Sequence, residues 1–356
     1  MDITFAVDIL QEFCTKLLAG TGVPWEEAEI VAKVLVDTSL DGIDTHGISR
    51  LPIYLTRLQN GRINAKPNIK ITQTAPAIAI LDGDNGLGQL AAVRAMEKAI
   101  ELAGQAGVGV VPARHSNHFG AATYYCKLAV HAGMIGMALT NSPSGIPPWG
   151  GRKPYFGTNP ISFGFPTGDT PIVVDMSSSN VARGNIILAA REGRSIPEGW
   201  AIDRDGKPTT NAEKALEGAV LPLGGAKGYA LALAVEMFSG IISGSFFGHH
   251  VGWIYDDSLE PTNVGHFFIA LNVENFMPMP EYVDRVEQMK SEIRSAPLAE
   301  GFDGILLPGE RKQMKAAKRA REGIPVGNGL LKELNEIAVS LGIMTLKPCR
   351  GEQLPC

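Results

Sequence analysis

The first group of residues suited to chemistry lies between Asp44 and Tyr54. Within it, His46, Arg50 and Tyr54 stand at four-residue intervals, so on a helix the three side chains would share one face. Arginine clamps a carboxylate with two hydrogen bonds, and histidine exchanges protons near neutral pH. The set therefore indicates an enzyme that acts on a carboxylate beside a carbonyl. The same spacing is also typical of a solvated helix face, and spacing alone leaves both interpretations open.

A second group is the segment from Arg114 to Gly120, which contains His115 and His118. It follows a predicted strand and precedes a predicted helix, a common place for groups that converge on a ligand in α/β proteins. The H-x-x-H spacing is compatible with a metal, but no carboxylate or cysteine close by in the sequence completes a ligand set. We therefore expect a histidine general acid here and no metal site.

Four further segments are rich in glycine, hydroxyl and amide groups, whose backbone N–H groups can cradle a pyrophosphate or an amide. Serines after a predicted strand can bind an anion or simply cap the next helix, and both uses stay open. A lysine at a helix start can meet a phosphate. The candidate cofactor-binding residues in these segments are Ser142, Gly157, Thr158, Asn159, Pro160, Asp175, Met176, Ser177, Ser178, Ser179, Lys227 and Gly228.

Residues 86–91, Gly-Leu-Gly-Gln-Leu-Ala, match a dinucleotide-binding fingerprint between a predicted strand and a predicted helix. That site also needs an acidic residue about 20 positions on, at the end of the next strand, to hold the ribose hydroxyls. The next strand instead ends in Val111, Pro112, Ala113 and Arg114. We therefore interpret Gly86 and Gly88 as turn glycines with positive φ and expect the cofactor elsewhere.

Hydrophobic spacing predicts the elements that position these groups. Helices are expected at 9–18, 24–40 and 53–59, and strands and helices alternate from 78 to 139. After a strand at 172–174, we expect a helix at 181–191, a core helix at 227–243 and a strand at 266–271. Three helices follow, at 281–295, 308–322 and 328–341. The predicted fold class is α/β. Residues 76–279 are expected to form an α/β cofactor-binding domain, and residues 1–75 and 280–356 a helical domain built from both termini.

Two glycine-containing stretches carry further expectations. The segment 142–171 should be an ordered loop, because Trp149, Tyr155 and Phe156 need burial. The apolar stretch 228–248 is interrupted by Glu236, and a charge near the middle of a membrane span is costly. We therefore expect a buried core helix there and not a membrane span.

Composition excludes several classes of protein. The 356 residues are 45% hydrophobic and 19% charged, with a net charge of −5, so the chain should be globular and offers no basic field for nucleic acid. The four cysteines form no C-x-x-C pair, and the first ten residues lack the features of a signal peptide. These observations favour a cytoplasmic protein with no membrane or nucleic-acid partner.

Taken together, six ordered segments resemble the malate/L-lactate dehydrogenase family over about residues 31–326. This family also contains ureidoglycolate and sulfolactate dehydrogenases, diketogulonate reductase and Δ1-piperideine-2-carboxylate reductase. The resemblance implies NAD or NADP binding without a Rossmann domain, and a homodimer. It is carried by Asp44-Thr45-His46-Gly47, Arg114 to Gly120, Phe156-Gly157-Thr158-Asn159-Pro160, Ile196-Pro197-Glu198-Gly199-Trp200-Ala201, Gly224 to Tyr229 and Pro308-Gly309-Glu310.

The resemblance also implies roles for single residues. His118 corresponds to the acid/base histidine of ureidoglycolate dehydrogenase, and His46 to the proton donor of diketogulonate reductase, so both are candidates. Arg50 corresponds to the clamp for the substrate carboxylate, with Thr45 and Tyr54 in the same pocket. The cofactor contacts implied are those above together with Pro308, Gly309 and Glu310.

The expected activity is hydride transfer between NAD(P) and a small 2-hydroxy acid or its 2-oxo acid. Ser142 stands where ureidoglycolate dehydrogenase has a lysine, which favours malate, lactate or sulfolactate as substrate. Reduction of a cyclic imine carboxylate, of the piperideine or pyrroline type, stays open because the same clamp and hydride donor would serve. A noncatalytic cofactor-binding protein is a more remote alternative.

Overall fold

A computed structural model describes residues 3–256 and 260–347 of the chain. Cys349 and Cys356 lie outside these residues. The described strands are β1 (Ile3–Phe5), β2 (Lys70–Ala75), β3 (Ile78–Asp82), β4 (Val108–Ser116), β5 (Met134–Thr140), β6 (Ile161–Phe165), β7 (Ile172–Met176), β8 (Ala201–Ile202), β9 (Pro208–Thr209), β10 (Ala219–Val220), β11 (Val264–Asn272) and β12 (Ile324–Val326).

The α-helices alternate with these strands or flank them. They are α1 (Val7–Gly20), α2 (Trp25–Leu40), α3 (Leu51–Gln59), α4 (Gly88–Ala106), α5 (Thr123–His131), α6 (Arg183–Arg191), α7 (Ala212–Glu217), α8 (Ala226–Glu236), α9 (Met279–Arg294), α10 (Glu310–Glu322) and α11 (Asn328–Ser340). The predicted α/β fold class is confirmed.

A seven-stranded sheet of order β2-β3-β4-β11-β5-β6-β7 lies at the centre. Among its described pairs, only β3 and β4 are parallel, and α4 makes the crossover between them. The other neighbours are antiparallel. Alanines dominate the buried face of α4, and a Cβ at Gly109 of β4 would lie 1.9 Å from the carbonyl oxygen of Ala99. Small residues thus let helix and sheet pack closely.

The two ends of the chain meet in a second core. β1 pairs with β12, and Phe5, Leu17 and Leu55 pack in one cluster with Ile324 and Leu334. Helix α9 contributes no residue to this second core. Its buried Lys290 pairs with Asp169 in the turn between β6 and β7. The division of the chain into two domains stays a prediction.

Gly86 and Gly88 do not have positive φ, so our interpretation of them as glycines required for positive φ was wrong. The positive φ angles of this turn belong to Asp84 and Asn85. A Cβ at Gly88 would lie 2.1 Å from the carbonyl oxygen of Asn117 and 2.6 Å from that of His118. Gly88 is therefore required because the loop that carries His118 crosses the start of α4.

Two expectations about apolar segments need correction. The loop before β6 is ordered, since Ile146 pairs with Phe156, and Phe156 is buried, but Trp149 is 59% exposed. Helix α8 continues into a π-helical segment, Met237–Ile242, and this pair is not a buried core helix. Its side chains Leu233, Met237, Phe238, Ile241 and Ile242 are between 40% and 62% exposed and form what we call the α8 apolar face. Among the described residues, none of the helices has the length and apolar character needed to cross a lipid bilayer.

Candidate active site

A cavity of about 90 Å³ lies where the ends of β4, β5 and β11 meet the turn after α2. His46 and His118 line it together, with ring centroids 5.5 Å apart. Ser142, Thr158 and Pro160 line the same cavity, so candidate catalytic and candidate cofactor residues come together. The remaining lining residues are Phe119, Gly120, Thr140, Asn141, Pro143, Gly252, Ile254, Thr262 and Val264.

His118 is held by the phenol of Tyr54. The Tyr54 Oη lies 2.6 Å from His118 Nδ1, and Tyr54 is fully buried on α3. Burial lowers the pKa of His118 well below the ordinary histidine value, and repulsion from His46 and Arg50 lowers it further. Burial also raises the pKa of Tyr54, which therefore keeps its proton. At neutral pH the site holds a neutral imidazole whose Nε2 is the nitrogen not bonded to Tyr54.

Hydrogen bonds from Asn117, the residue before His118, hold the loop that carries the imidazole. Asn117 donates from Nδ2 to Asn85 Oδ1 at 3.0 Å and to the carbonyl oxygen of Gly86 at 2.8 Å, and it accepts from the Thr262 hydroxyl at 2.6 Å. Asn85 and His115 both have positive φ, and the backbone N–H of Asn85 donates to the carbonyl oxygen of His115. Such conformations persist only where surrounding bonds hold them, which makes the loop a rigid support for the imidazole.

His46 does not share a helix face with Arg50 and Tyr54, so that prediction was wrong. Residues 44–47 form a turn, because Gly47 has ψ −139° and a Cβ there would lie 2.0 Å from Ser39 Oγ. A short 3₁₀ helix, Ile48–Arg50, leads into α3. Burial and the charge of Arg50 lower the pKa of His46 to about 4.

Arg50 does not line the cavity, but its charge lowers the pKa of both His46 and His118, and its side chain already has hydrogen-bond partners. Its Nε donates to the carbonyl oxygen of Thr45 at 2.6 Å, and its Nη1 donates to the hydroxyl of Tyr255. The exposed Thr45 hydroxyl lies 2.9 Å from His46 Nδ1. Tyr255 was missed by sequence analysis, since 205 positions separate it from Arg50.

Ser142, Thr158 and Ser178 are linked across three strand ends. Thr158 donates from its backbone N–H to Ser142 Oγ at 3.0 Å, and Ser178 donates to the carbonyl oxygen of Thr158 from both N–H and hydroxyl. A Cβ at Gly157 would lie 2.2 Å from the carbonyl oxygen of Ser142, so only glycine fits. Ser177 to Ser179 do not cap a helix: α6 begins at Arg183 and its N-cap is Ala182.

Glu236, which we read only as an interruption of an apolar stretch, organises these loops. Its buried carboxylate accepts from Asn159 Nδ2 at 2.7 Å, from Asn141 Nδ2 at 3.1 Å and from the backbone N–H of Gly248 at 3.0 Å. One side chain of α8 thus fixes the segments after β5 and before β6. No sequence pattern pointed to it, because its partners are 95 and 77 positions away.

Asp175 also acquires partners that the sequence did not reveal. Its Oδ2 accepts from Lys312 Nζ at 2.7 Å and from Thr123 Oγ1 at 2.6 Å. The lowering of the His46 pKa by burial and Arg50 is opposed by the carboxylate of Asp175 and increased by the charge of Lys312. This ion pair is therefore near the candidate site. Met176, the next residue, is 40% exposed.

The other predicted cofactor residues lie outside the cavity in this single chain. Lys227 is exposed at the start of α8, and a Cβ at Gly228 would lie 2.3 Å from the carbonyl oxygen of Leu223. Pro308 and Gly309 line a separate surface cleft with Phe302 and Lys312. Glu310 caps its own turn by accepting from Leu307 N–H and pairs with Arg294.

Residues 3–256 and 260–347 contain no group of three His, Cys, Asp or Glu side chains that come together as a metal site requires. His115 pairs with Asp82 at 3.0 Å, a carboxylate 33 positions away that the sequence did not place nearby. Cys14 and Cys126 are buried and free, and burial raises the pKa of each thiol to about 12.

Comparison with known proteins decides the family. The model of the malate/L-lactate dehydrogenase family matches residues 5–335. The chain belongs to this family. It is 44% identical to the L-sulfolactate dehydrogenase of Methanocaldococcus jannaschii, over 95% of this chain and 94% of that protein. It is 41% identical to the malate dehydrogenase of Pyrococcus horikoshii, over 94% and 95% of the two chains.

Solved structures agree with the sequence matches. The sulfolactate dehydrogenase from M. jannaschii superposes with a TM-score of 0.91, covering 96% of this chain and 98% of that one. The Δ1-piperideine-2-carboxylate reductase from Pseudomonas syringae pv. tomato gives 0.84 at 30% identity, covering 94% and 99%. The family member described here is therefore an oxidoreductase that acts on hydroxy acids, and a dehydrogenase of this family implies a nicotinamide cofactor.

Proposed function

We propose that this enzyme transfers a hydride between NAD or NADP and a small 2-hydroxy acid or 2-oxo acid of the malate, lactate or sulfolactate type. The observation that carries the proposal is the cavity in which His118, bonded to Tyr54, faces His46 next to Ser142 and Thr158. Arg50, whose charge acts on both histidines, would be the cation for a carboxylate. A proton-transfer group and an anion clamp side by side are what 2-hydroxy acid chemistry needs.

The residues around the cavity fit a nicotinamide ring and its carboxamide. Phe119 and Val264 give apolar walls, and Ser142 and Thr158 bring hydroxyls to one side. The Oδ1 of Asn159 is buried and has no hydrogen-bond partner within residues 3–256 and 260–347, so an acceptor is available next to this segment. We propose that Gly157 to Pro160 and Ser142 hold the nicotinamide end. Asp175 to Ser179, Lys227, Gly228 and Pro308 to Glu310 would contact the rest of the cofactor.

The chain's own residues would then perform three tasks. Arg50 would hold the substrate carboxylate through two hydrogen bonds, releasing its contact with Tyr255. His118 Nε2 would hold the proton that leaves or reaches the C2 oxygen, and His46 would orient the substrate beside it. Phe119 and Val264 would keep water away from that oxygen. When bound, the nicotinamide supplies or accepts the hydride.

A substrate panel tests the proposal. Oxaloacetate, pyruvate, sulfopyruvate, Δ1-piperideine-2-carboxylate and Δ1-pyrroline-2-carboxylate would each be offered with NADH and with NADPH, and kcat/KM measured from the absorbance of the reduced nicotinamide. We expect an oxo acid to give the highest kcat/KM. A higher value for either cyclic imine would replace the proposal by imine reduction. Cofactor binding without turnover of any compound would indicate a noncatalytic protein.

We further propose that the enzyme is a homodimer that buries the α8 apolar face. Five large apolar side chains on one helical surface exceed the scattered exposure normal for a monomer. Sedimentation should give twice the 37.9 kDa of one chain. Ile241→Glu should shift the equilibrium to monomer, whereas Val339→Glu, at an exposed valine on α11, should not. A monomeric unmodified protein, or a dimer insensitive to Ile241→Glu, would contradict this assembly.

A further inference from the structure

Gln89, the second residue of α4, is a buried amide that the proposed chemistry leaves without a task. It is fully buried, and within ordinary hydrogen-bond geometry neither Nε2 nor Oε1 has a partner among the described residues. Buried polar groups are nearly always paired, so an amide with both ends unmatched needs an explanation.

The position of Gln89 is at the back of the candidate site. A Cβ at Gly120 would lie 3.9 Å from Gln89 Nε2 and 3.4 Å from the carbonyl oxygen of His46. The amide also lies within side-chain reach of the Tyr54 phenol. Tyr54 in turn contacts His118. Gln89, Tyr54 and His118 therefore form a line that ends in the cavity.

The hydrogen bond between Tyr54 and His118 can be made in two ways. If the phenol donates to Nδ1, the neutral imidazole carries its hydrogen on Nε2 and cannot accept a proton there. If Nδ1–H donates to the phenol oxygen, Nε2 has a free lone pair, but the phenol hydrogen needs another acceptor. Burial raises the pKa of Tyr54, so that hydrogen is always present.

We propose that Gln89 is a positioning residue: its Oε1 accepts the Tyr54 O–H, which directs His118 Nδ1–H to the phenol oxygen and leaves Nε2 free for the proton of the substrate hydroxyl. During oxidation that proton moves from the substrate oxygen to Nε2, and the hydrogens on Nδ1 and on Tyr54 stay in place. The inference rests on the proposed role of His118. The proposed role also explains the segment 86–91, which matches a dinucleotide-binding fingerprint. In this chain the segment would place Gln89 near the acid/base histidine and would not bind the cofactor.

The ¹⁵N chemical shifts of the His118 ring test the inference without turnover. In the protein labelled with ¹⁵N-histidine, the His118 signals are assigned by their loss in His118→Asn. We expect the Nδ1–H tautomer in the unmodified protein. Gln89→Met should move His118 toward the Nε2–H tautomer, and Gln89→Glu, which keeps an acceptor oxygen, should retain Nδ1–H. An unchanged tautomer in folded Gln89→Met would overturn the inference.

Kinetics give an independent readout. Gln89→Met should lower kcat for oxidation of the hydroxy acid at least about tenfold, with KM for the cofactor within about twofold. In a Tyr54→Phe background the same substitution should have little further effect, because the link to His118 is already broken. Equal effects in both backgrounds would show that Gln89 acts only on packing.

A matched control separates loss of position from loss of stability. Ser239→Ala removes a different buried polar group, a hydroxyl outside the cavity that has no partner among the described residues, and should leave the His118 tautomer and kcat unchanged. If His118→Asn keeps its activity while Gln89→Met still shifts the tautomer, the proposed acid/base role fails and the positioning network stands. If His118→Asn is inactive but Gln89→Met is unaltered, only the role of Gln89 fails.

Discussion

Replacing His118 by asparagine should slow oxo-acid reduction by about 10²- to 10⁴-fold, the usual contribution of a positioned proton donor. Asparagine keeps a polar side chain in the loop but cannot give a proton to the C2 oxygen. Cofactor affinity should stay close to that of the unmodified enzyme. Single-turnover reduction and fluorescence titration with the reduced cofactor would measure the two quantities.

The pH dependence follows from the lowered pKa of His118. Reduction requires the protonated imidazole, whose fraction falls about tenfold for each pH unit above its pKa. The logarithm of kcat/KM for reduction should therefore decline with a slope near −1 through neutral pH. Oxidation requires the neutral form, so it should be lost only as the pH falls through the low pKa. In His118→Asn the residual reduction should lose this slope.

Two further variants separate His118 from the neighbouring histidine and from general effects. His46→Asn should weaken substrate binding more than it alters the pH dependence, since His46 stands on the turn beside Arg50. His131→Asn, at an exposed histidine ending α5, should change neither. If His46→Asn removes the slope and His118→Asn retains it, the two roles must be exchanged.

Much of the fold could be predicted because its signals are local. The predicted alternation of strands and helices from 78 to 139 corresponds to β3, α4, β4, α5 and β5. Cavity residues could likewise be proposed where strands end, at His118, Ser142 and Thr158. These positions depend on the order of strands and loops, which the sequence displays directly.

What the sequence does not show are contacts between distant residues. Glu236 looked like a charge that breaks an apolar run, yet it holds Asn141 and Asn159 from the opposite side. Gly47 explains a different failure: the four-residue spacing of His46 and Arg50 matched a helix, but the glycine adopts a non-helical ψ and packs on Ser39. The spacing of residue types cannot detect such a break, because it shows which side chains would share a helix face and not whether the backbone is helical.

Arg50→Lys should reduce kcat/KM by about 2 to 4 kcal/mol of transition-state binding, or roughly 30- to 900-fold. Lysine keeps the positive charge but presents a single ammonium, so it cannot grip a carboxylate with two parallel hydrogen bonds. It also lacks the separate Nε donor with which the guanidinium binds the carbonyl oxygen of Thr45 while its two Nη groups stay available for a ligand. Saturation kinetics with the best oxo acid of the panel would measure the loss.

The comparison that makes this result specific is Arg94→Lys, on the solvent face of α4, where the arginine pairs only loosely with Glu97 at 3.3 Å. That variant should retain full kcat/KM, which shows that exchanging arginine for lysine does not by itself harm the enzyme. Tyr255→Phe frees Arg50 from its phenol partner and keeps the ring. It should leave substrate binding equal or tighter if the carboxylate displaces that hydroxyl. Retention of more than a third of kcat/KM by Arg50→Lys would show that Arg50 does not clamp the substrate, because losing one of two charged hydrogen bonds costs more than that.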